Sequence, residues 1–144
     1  MKIVFICTGN TCRSPLAAAL FNKVAEQTGT GAEAVSAGIY PNEGEPASEN
    51  AIAVAKEYSC DLSGHRSRLV TAQELEEADM VVCMTGEHER IIASYFPQVR
   101  QKLSTLIPWD IDDPFGKDME AYRECAGDIY DGVRVLAGKI RGEI

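Results

Sequence analysis

Hydrophobic positions along the chain switch repeatedly between a short-run pattern and a helical period. Lys2-Ile-Val-Phe-Ile6 is a short apolar run with β-branched residues and predicts a buried strand. Leu16 to Gln27 predicts a helix, with Ser14 as its N-cap and Pro15 at the first helical position, where a missing N–H costs nothing. Gly29 and Gly31 mark its end, and Glu33 to Ala37 predicts a second strand. A loop rich in Gly, Pro and Glu runs from Gly38 to Pro46, before a helix from Ser48 to Tyr58 whose apolar face is Ala51, Ile52, Val54 and Ala55. Leu62 to Val70 is a polar connection, and Thr71 with Glu74 forms a capping box that opens a short helix to Ala78. Asp79 to Met84 is nearly continuous in apolar character, as a strand covered on both faces should be. Thr85 caps a helix that Pro97 ends, Lys102 to Ile107 predicts a fourth strand, and Pro108 to Lys117 is a loop. Asp118 caps a long last helix with Met119, Tyr122, Ile129, Val133, Leu136 and Ile140 in one stripe. Strands alternating with helices predict an α/β fold: a parallel sheet with helices on both faces.

At 144 residues the chain is expected to be a single domain, residues 1–144, able to build a core without disulfides or metals. The formal charge of −8, with no basic stripe, speaks against a nucleic-acid partner. No stretch is long and apolar enough to span a membrane, and the N-terminal run is too short for a signal-peptide core. Cys7, Cys12, Cys60, Cys83 and Cys125 lack framework spacing, which predicts a reducing, cytoplasmic setting; the last three are expected to pack in or near the core. His88 has no partner at metal-ligand spacing and reads as an exposed helix residue, so no metal site is expected.

The chemistry concentrates where the first strand meets the first helix, in Cys7-Thr-Gly-Asn-Thr-Cys-Arg-Ser-Pro15. Amides entering a helix lack intrahelical acceptors, and the helix dipole adds positive potential there. Gly9 and Asn10 readily take left-handed angles, letting successive N–H groups turn inward around an anion. Arg13 offers a planar fork for two phosphate oxygens. In such a field Cys7 is expected to shift toward the thiolate, as at comparable sites that fall from about 8.5 to roughly 3.5–7.5. Ser14 can donate its hydroxyl to the sulfur. No Gly-Lys-Ser/Thr and no GxGxxG is present, so a nucleotide-type phosphate loop is excluded.

Cys-x5-Arg-Ser at this junction resembles the low-molecular-weight protein-tyrosine phosphatase family, and within it the bacterial protein-arginine phosphatases; the likeness covers essentially the whole chain. It implies a phosphatase P-loop after the first strand and, with the handedness rule, a four-stranded sheet in the order 2-1-3-4. It also implies a reaction without metal or cofactor on phosphorylated proteins, carried by a monomer. Cys7 would be the nucleophile and Arg13 the phosphate clamp, with Thr8, Gly9, Asn10, Thr11, Cys12, Ser14 and Phe115 contacting substrate. Ser36 and His65 match positions that brace the loop, and Cys12 is the candidate redox partner of Cys7. Cleavage needs a proton on the leaving atom, and Asp110, Asp112 and Asp113 all lie in the 108–117 loop. Asp113 is the expected general acid, because it alone carries the Asp-Pro-aromatic pattern that resembles the family's general-acid loop, although tyrosine-directed members often carry two aromatics where this chain has Phe115 and Gly116. Threonine at position 11 resembles the arginine-directed members, where tyrosine-directed ones carry an aliphatic residue. Ile39 and Tyr40 are rim candidates, and Trp109 is either structural or at the rim. An arsenate reductase would need relay cysteines after the third strand, where Thr85 stands, and a non-catalytic anion sensor would have no use for Asp113.

Overall fold

The computed structural model describes residues 1–142. Its elements are β1 (Lys2–Cys7), α1 (Arg13–Thr28), β2 (Glu33–Gly38), α2 (Glu49–Glu57), α3 (Ala72–Glu77), β3 (Met80–Cys83), α4 (Gly86–Tyr95), a 3-10 turn (Pro97–Lys102), β4 (Leu103–Thr105) and α5 (Met119–Ile140). The four strands form one sheet in the order β2-β1-β3-β4, as expected. All pairings are parallel; Ile3 lies opposite both Ala34 and Met80, and Val81 lies opposite Leu103. Strand β1 is therefore central, and residues 3 to 6 of it are fully buried.

The pleat sends its side chains to two cores. Ile3, Phe5 and Cys7 pack with α1, α2 and α5, whereas Val4 and Ile6 pack with α3 and α4. Both faces are covered, which is why β1 and β3 read as unbroken apolar runs. Strand β4 is shorter than expected, because Lys102 belongs to the 3-10 turn and Thr105 Oγ1 donates to Ile107 O at 2.9 Å where the chain leaves the sheet.

Four helix starts are capped, three of them by the expected residues (Thr71, Thr85 and Asp118) and α2 by Ser48, where the helix itself is expected to begin. Ser48, Thr85 and Asp118 accept from the amides of Ala51, His88 and Ala121, and Thr71 with Glu74 completes its capping box. Helix α1 departs from expectation: it begins at Arg13, with Cys12 as an N-cap that makes no side-chain capping bond. Ser14 lies inside the helix and its hydroxyl faces the Cys7 sulfur instead. A side-chain cap would occupy amides that an anion can use; leaving this one uncapped keeps them available.

Candidate active site

Cys7 closes β1 beyond the carboxyl edge of the sheet, at the point where the chain can leave toward either neighbour, the usual ligand position in an open parallel sheet. The loop after it is held by its own side chains. Asn10 has φ 58°, a left-handed conformation that Asn accepts at small cost. That turn points its N–H at Cys7 Sγ, 3.3 Å away. Its buried side chain donates to Ser14 Oγ at 2.9 Å and Ser36 Oγ at 3.0 Å, and accepts from Arg68 N at 3.1 Å. His65 Nε2 donates to the Asn10 carbonyl at 2.7 Å. Ser36 and His65 thus stand where the resemblance put them. Close approach of β2 is part of the same fit: a Cβ on Gly38 would meet Thr8 O at 2.8 Å and Asn10 Cβ at 3.0 Å.

Ser14 Oγ lies 2.9 Å from Cys7 Sγ. Burial pushes the Cys7 thiol up, while the Ser14 hydroxyl and amide, the Arg13 guanidinium and the Asn10 amide pull it down; on balance it is raised. This corrects the expected thiolate. The sequence displays the donors, but only the fold shows that the sulfur is 2 % exposed. Ser14 is also corrected as a substrate contact, since it is fully buried behind the sulfur and does not line the cavity.

The cavity over the sulfur has a volume of about 220 Å3. Its floor is Cys7 to Arg13, so Thr8, Gly9, Asn10, Thr11 and Cys12 all take part, and its walls are Tyr40, Asn42, Glu45, Asp113 and Phe115. Tyr40 and Phe115 are both largely exposed, so the loop after β2 supplies a second aromatic to the cavity lining. Ile39 is not at the rim; it turns into the core with Val4 and Val70. Asn42 and Glu45 were not foreseen, because they lie in a loop with no motif to single them out. Cys12 Sγ sits 3.3 Å from both Ser48 Oγ and Tyr122 Oη, so α2 and α5 back the loop from behind.

Arg13 is buried and ties the two halves of the site together. Its Nη1 donates to Ile111 O at 2.9 Å, and its Nη2 lies 3.6 Å from Asp113 Oδ2. Ile111 is fully buried and its N–H donates to Met84 O at 3.1 Å, which anchors the 108–117 loop to the end of β3. The three aspartates separate by geometry. Asp110 Oδ1 accepts from Gly86 N at 2.9 Å at the start of α4; Asp112 is exposed and lines a neighbouring depression with Trp109. Asp113 alone of the three lines the Cys7 cavity, where its Oδ1 accepts from Phe115 N at 3.1 Å.

His88 is a further correction. It is 5 % exposed, and its Nε2 lies 2.8 Å from Thr8 Oγ1. Burial and the Arg13 charge lower it to about 4, against the opposing pull of Asp110 and Asp113. Helical periodicity could not find this, because α4 meets the P-loop only through its first turn. Cys83 and Cys125 are buried and Cys60 is half-buried, as expected. Among the described residues no group of His, Cys, Asp and Glu could hold a metal ion, and no helix is long and apolar enough to cross a membrane.

A sulfur under an anion cradle, an arginine clamp and a facing carboxylate define a cysteine-dependent phosphatase site on a parallel α/β sheet. The chain belongs to the low molecular weight phosphotyrosine protein phosphatase family, whose model matches residues 2–144. It is 37% identical over 147 residues to the protein-arginine-phosphatase of Bacillus subtilis (strain 168), covering 98% of this chain and 97% of that protein. Among solved structures it superimposes with a TM-score of 0.94 and 36% identity on the YwlE arginine phosphatase, a C7S mutant with phosphorylated active site serine, covering 98% of this chain and 96% of that one. The low molecular weight protein tyrosine phosphatase from T. tengcongensis gives 0.93 and 37% identity, covering 96% and 99%.

Proposed function

We propose that the protein removes phosphate from phosphoarginine in proteins by two displacements through a phosphocysteine. The observation that carries the arginine reading is the cavity wall. Glu45 contributes a carboxylate to a lining that also holds Thr11, a small hydroxyl-bearing residue, the acid Asp113 and the rings of Tyr40 and Phe115. A protonated guanidino group gains from carboxylates and from stacking between rings; a phosphotyrosine phenyl ring gains only from the rings. The relative named as a protein-arginine-phosphatase supports the same reading.

In the first displacement the Cys7 thiolate forms an S–P bond as the P–N bond breaks, and Asp113 passes its proton to the departing guanidine nitrogen. Arg13 and the loop amides hold the equatorial oxygens. In the second, the Asp113 carboxylate takes a proton from water, the water oxygen bonds to phosphorus, and the S–P bond breaks to return the thiolate. The phosphorylated active-site serine of the C7S relative supports phosphoryl transfer to the side chain at that position. Because burial raises the thiol, its proton passes to the dianionic phosphoryl group of the entering substrate before attack, and Ser14, the Asn10 amide and Arg13 are the groups that hold the resulting anion.

The site also suits a cytoplasmic enzyme under redox control. A peroxide would oxidise the Cys7 thiolate to a sulfenic acid, and Cys12 would displace water to give a disulfide that a thiol reverses. Tyrosine dephosphorylation is the second reading, favoured by the T. tengcongensis likeness. The deciding experiment compares kcat/KM on a phosphoarginine protein and a phosphotyrosine peptide, with C7S as the blank and Thr11→Ile as the probe. Preference for phosphoarginine that Thr11→Ile shifts toward phosphotyrosine is expected; preference for phosphotyrosine in the unaltered protein overturns the arginine assignment and leaves the mechanism standing.

A further inference from the structure

The P-loop is gripped by a histidine on each flank. On the β2 side His65 donates to the Asn10 carbonyl. On the β3 side His88, in the first turn of α4, reaches Thr8 Oγ1, a contact across 80 positions of sequence. Thr8 is the residue next to Cys7 and its side chain borders the same cavity.

The ring of His88 has two ways to make this bond. If Thr8 donates to Nε2, the proton of a neutral imidazole sits on Nδ1. Nδ1 is buried and has no hydrogen-bond partner among the described residues, so that tautomer strands a buried N–H. If Nε2 carries the proton, it donates to Thr8 Oγ1 and Nδ1 is a bare lone pair on a ring that the Arg13 charge influences, a sign that favours a lone pair over a second proton. The second arrangement costs less. It has a consequence at the other end of the bond: Thr8 Oγ1 is occupied as an acceptor, and its own hydroxyl proton is left to point elsewhere. Thr8 Oγ1 makes no other hydrogen bond within the described chain, and Thr8 is exposed and lines the cavity.

We propose that His88 is a positioning residue of the phosphatase reaction: as the Nε2–H tautomer it donates to Thr8 Oγ1 and turns the Thr8 hydroxyl into the cavity as a donor to a phosphoryl oxygen. The threonine then adds a side-chain donor to the amides of the cradle, and its direction is set from α4 rather than from the loop. The amides at the start of α4 are already engaged, His88 N by Thr85 Oγ1 and Gly86 N by Asp110, so the ring is held in place by the same turn that presents it. This deepens the phosphatase reading and rests on it.

Two measurements test it. Nitrogen-15 NMR of the imidazole in the whole protein at neutral pH reads the tautomer directly; a protonated Nε2 with a bare Nδ1 is expected, and a protonated Nδ1 overturns the proposal. Kinetics on p-nitrophenyl phosphate then compare Thr8→Val, His88→Leu and the double variant. Each single change is expected to lower kcat/KM about tenfold, the worth of one hydrogen bond to a charged acceptor. The double variant should lose no more than either alone, and His88→Gln, whose amide nitrogen falls where Nε2 lies, should recover most of the rate. Losses that multiply in the double variant, or a Thr8→Val protein with unchanged kcat/KM, overturn the proposal. Should His88→Leu fail to fold, Thr8→Val and the NMR assignment still decide it. An unaltered protein with no turnover of p-nitrophenyl phosphate would instead count against the phosphatase reading, and the tautomer would remain measurable.

Discussion

Asn10→Ala removes the side chain on which the loop is built. Three hydrogen bonds go with it: the two donations to Ser14 and Ser36 and the acceptance from Arg68 N. At about 1 kcal/mol each, these are worth about 3 kcal/mol, the buried partners being left without the amide. Alanine also tolerates the left-handed backbone at φ 58° less well than asparagine, which adds about 1 kcal/mol. The sum is roughly 4 kcal/mol, below the 5–15 kcal/mol total typical of a domain, so the variant is expected to fold. For a chain of this size it should melt about 15 °C lower. The kinetic loss has a separate origin. Ser14 loses the donor that holds its oxygen beside Cys7, and the loop amides lose their aim, so kcat/KM on p-nitrophenyl phosphate should fall about 100-fold, as when one preorganised donor is removed elsewhere. Asn10→Gly separates the two effects: glycine relieves the backbone and should be about 1 kcal/mol more stable than the alanine variant, melting about 4 °C higher, while being equally slow. Differential scanning calorimetry and steady-state kinetics on the three proteins read both quantities. If the alanine and glycine variants keep the parent kcat/KM, the Asn10 network does not organise the cradle and the account of the site fails.

Asp113→Asn removes the proton donor without changing shape; turnover should fall most for substrates with poor leaving groups, and an equal rate on phosphoarginine would return Asp110 and Asp112 to contention. Gly38→Ala drives a Cβ onto the Thr8 carbonyl, so kcat/KM should fall and Tm drop together; an unaltered crystal structure of the loop with full activity would show that the approach has slack. His88 titrates at about 4 in the fold against about 6.5 when unfolded, so the unfolded chain takes up the proton first as pH falls. Its contribution is constant above about 6.5 and is lost progressively down to about 4, at most about 3 kcal/mol. The groups acting on it are Arg13, which disfavours the proton, and Asp110 and Asp113, which favour it. Urea unfolding at pH 7 and pH 5 should therefore show a smaller acid loss in His88→Gln than in the parent; equal losses would place the acid sensitivity elsewhere.

Short-range order was legible in the chain. A strand, a loop of the right residue types and a helix start follow one another within Lys2 to Leu16, and the hydrogen bonds that shape Asn10 against Cys7 and Ser14 span four positions or fewer. The caps of α3 to α5 and the alternation that defines a parallel sheet are equally local, so residue type and spacing sufficed for them. The Asp-Pro-Phe stretch pointed to the loop and singled out Asp113 from Asp110 and Asp112 by resemblance, but nothing local showed what the other two carboxylates do. The folded chain separates their surroundings by where it returns. Arg13 reaches the Ile111 carbonyl across 98 positions, Asp110 is spent on the start of α4, and only Asp113 is left facing the sulfur. The same holds for the contact of Thr8 with His88 and for the wall residues Asn42 and Glu45. Burial, too, belongs to the assembled molecule. Ile39 turns inward, and the Cys7 thiol rises although every visible neighbour would lower it, because both faces of β1 are covered. Sequence spacing reports only neighbours within a turn or a strand; desolvation and contacts between distant segments exist once the sheet has brought those segments together.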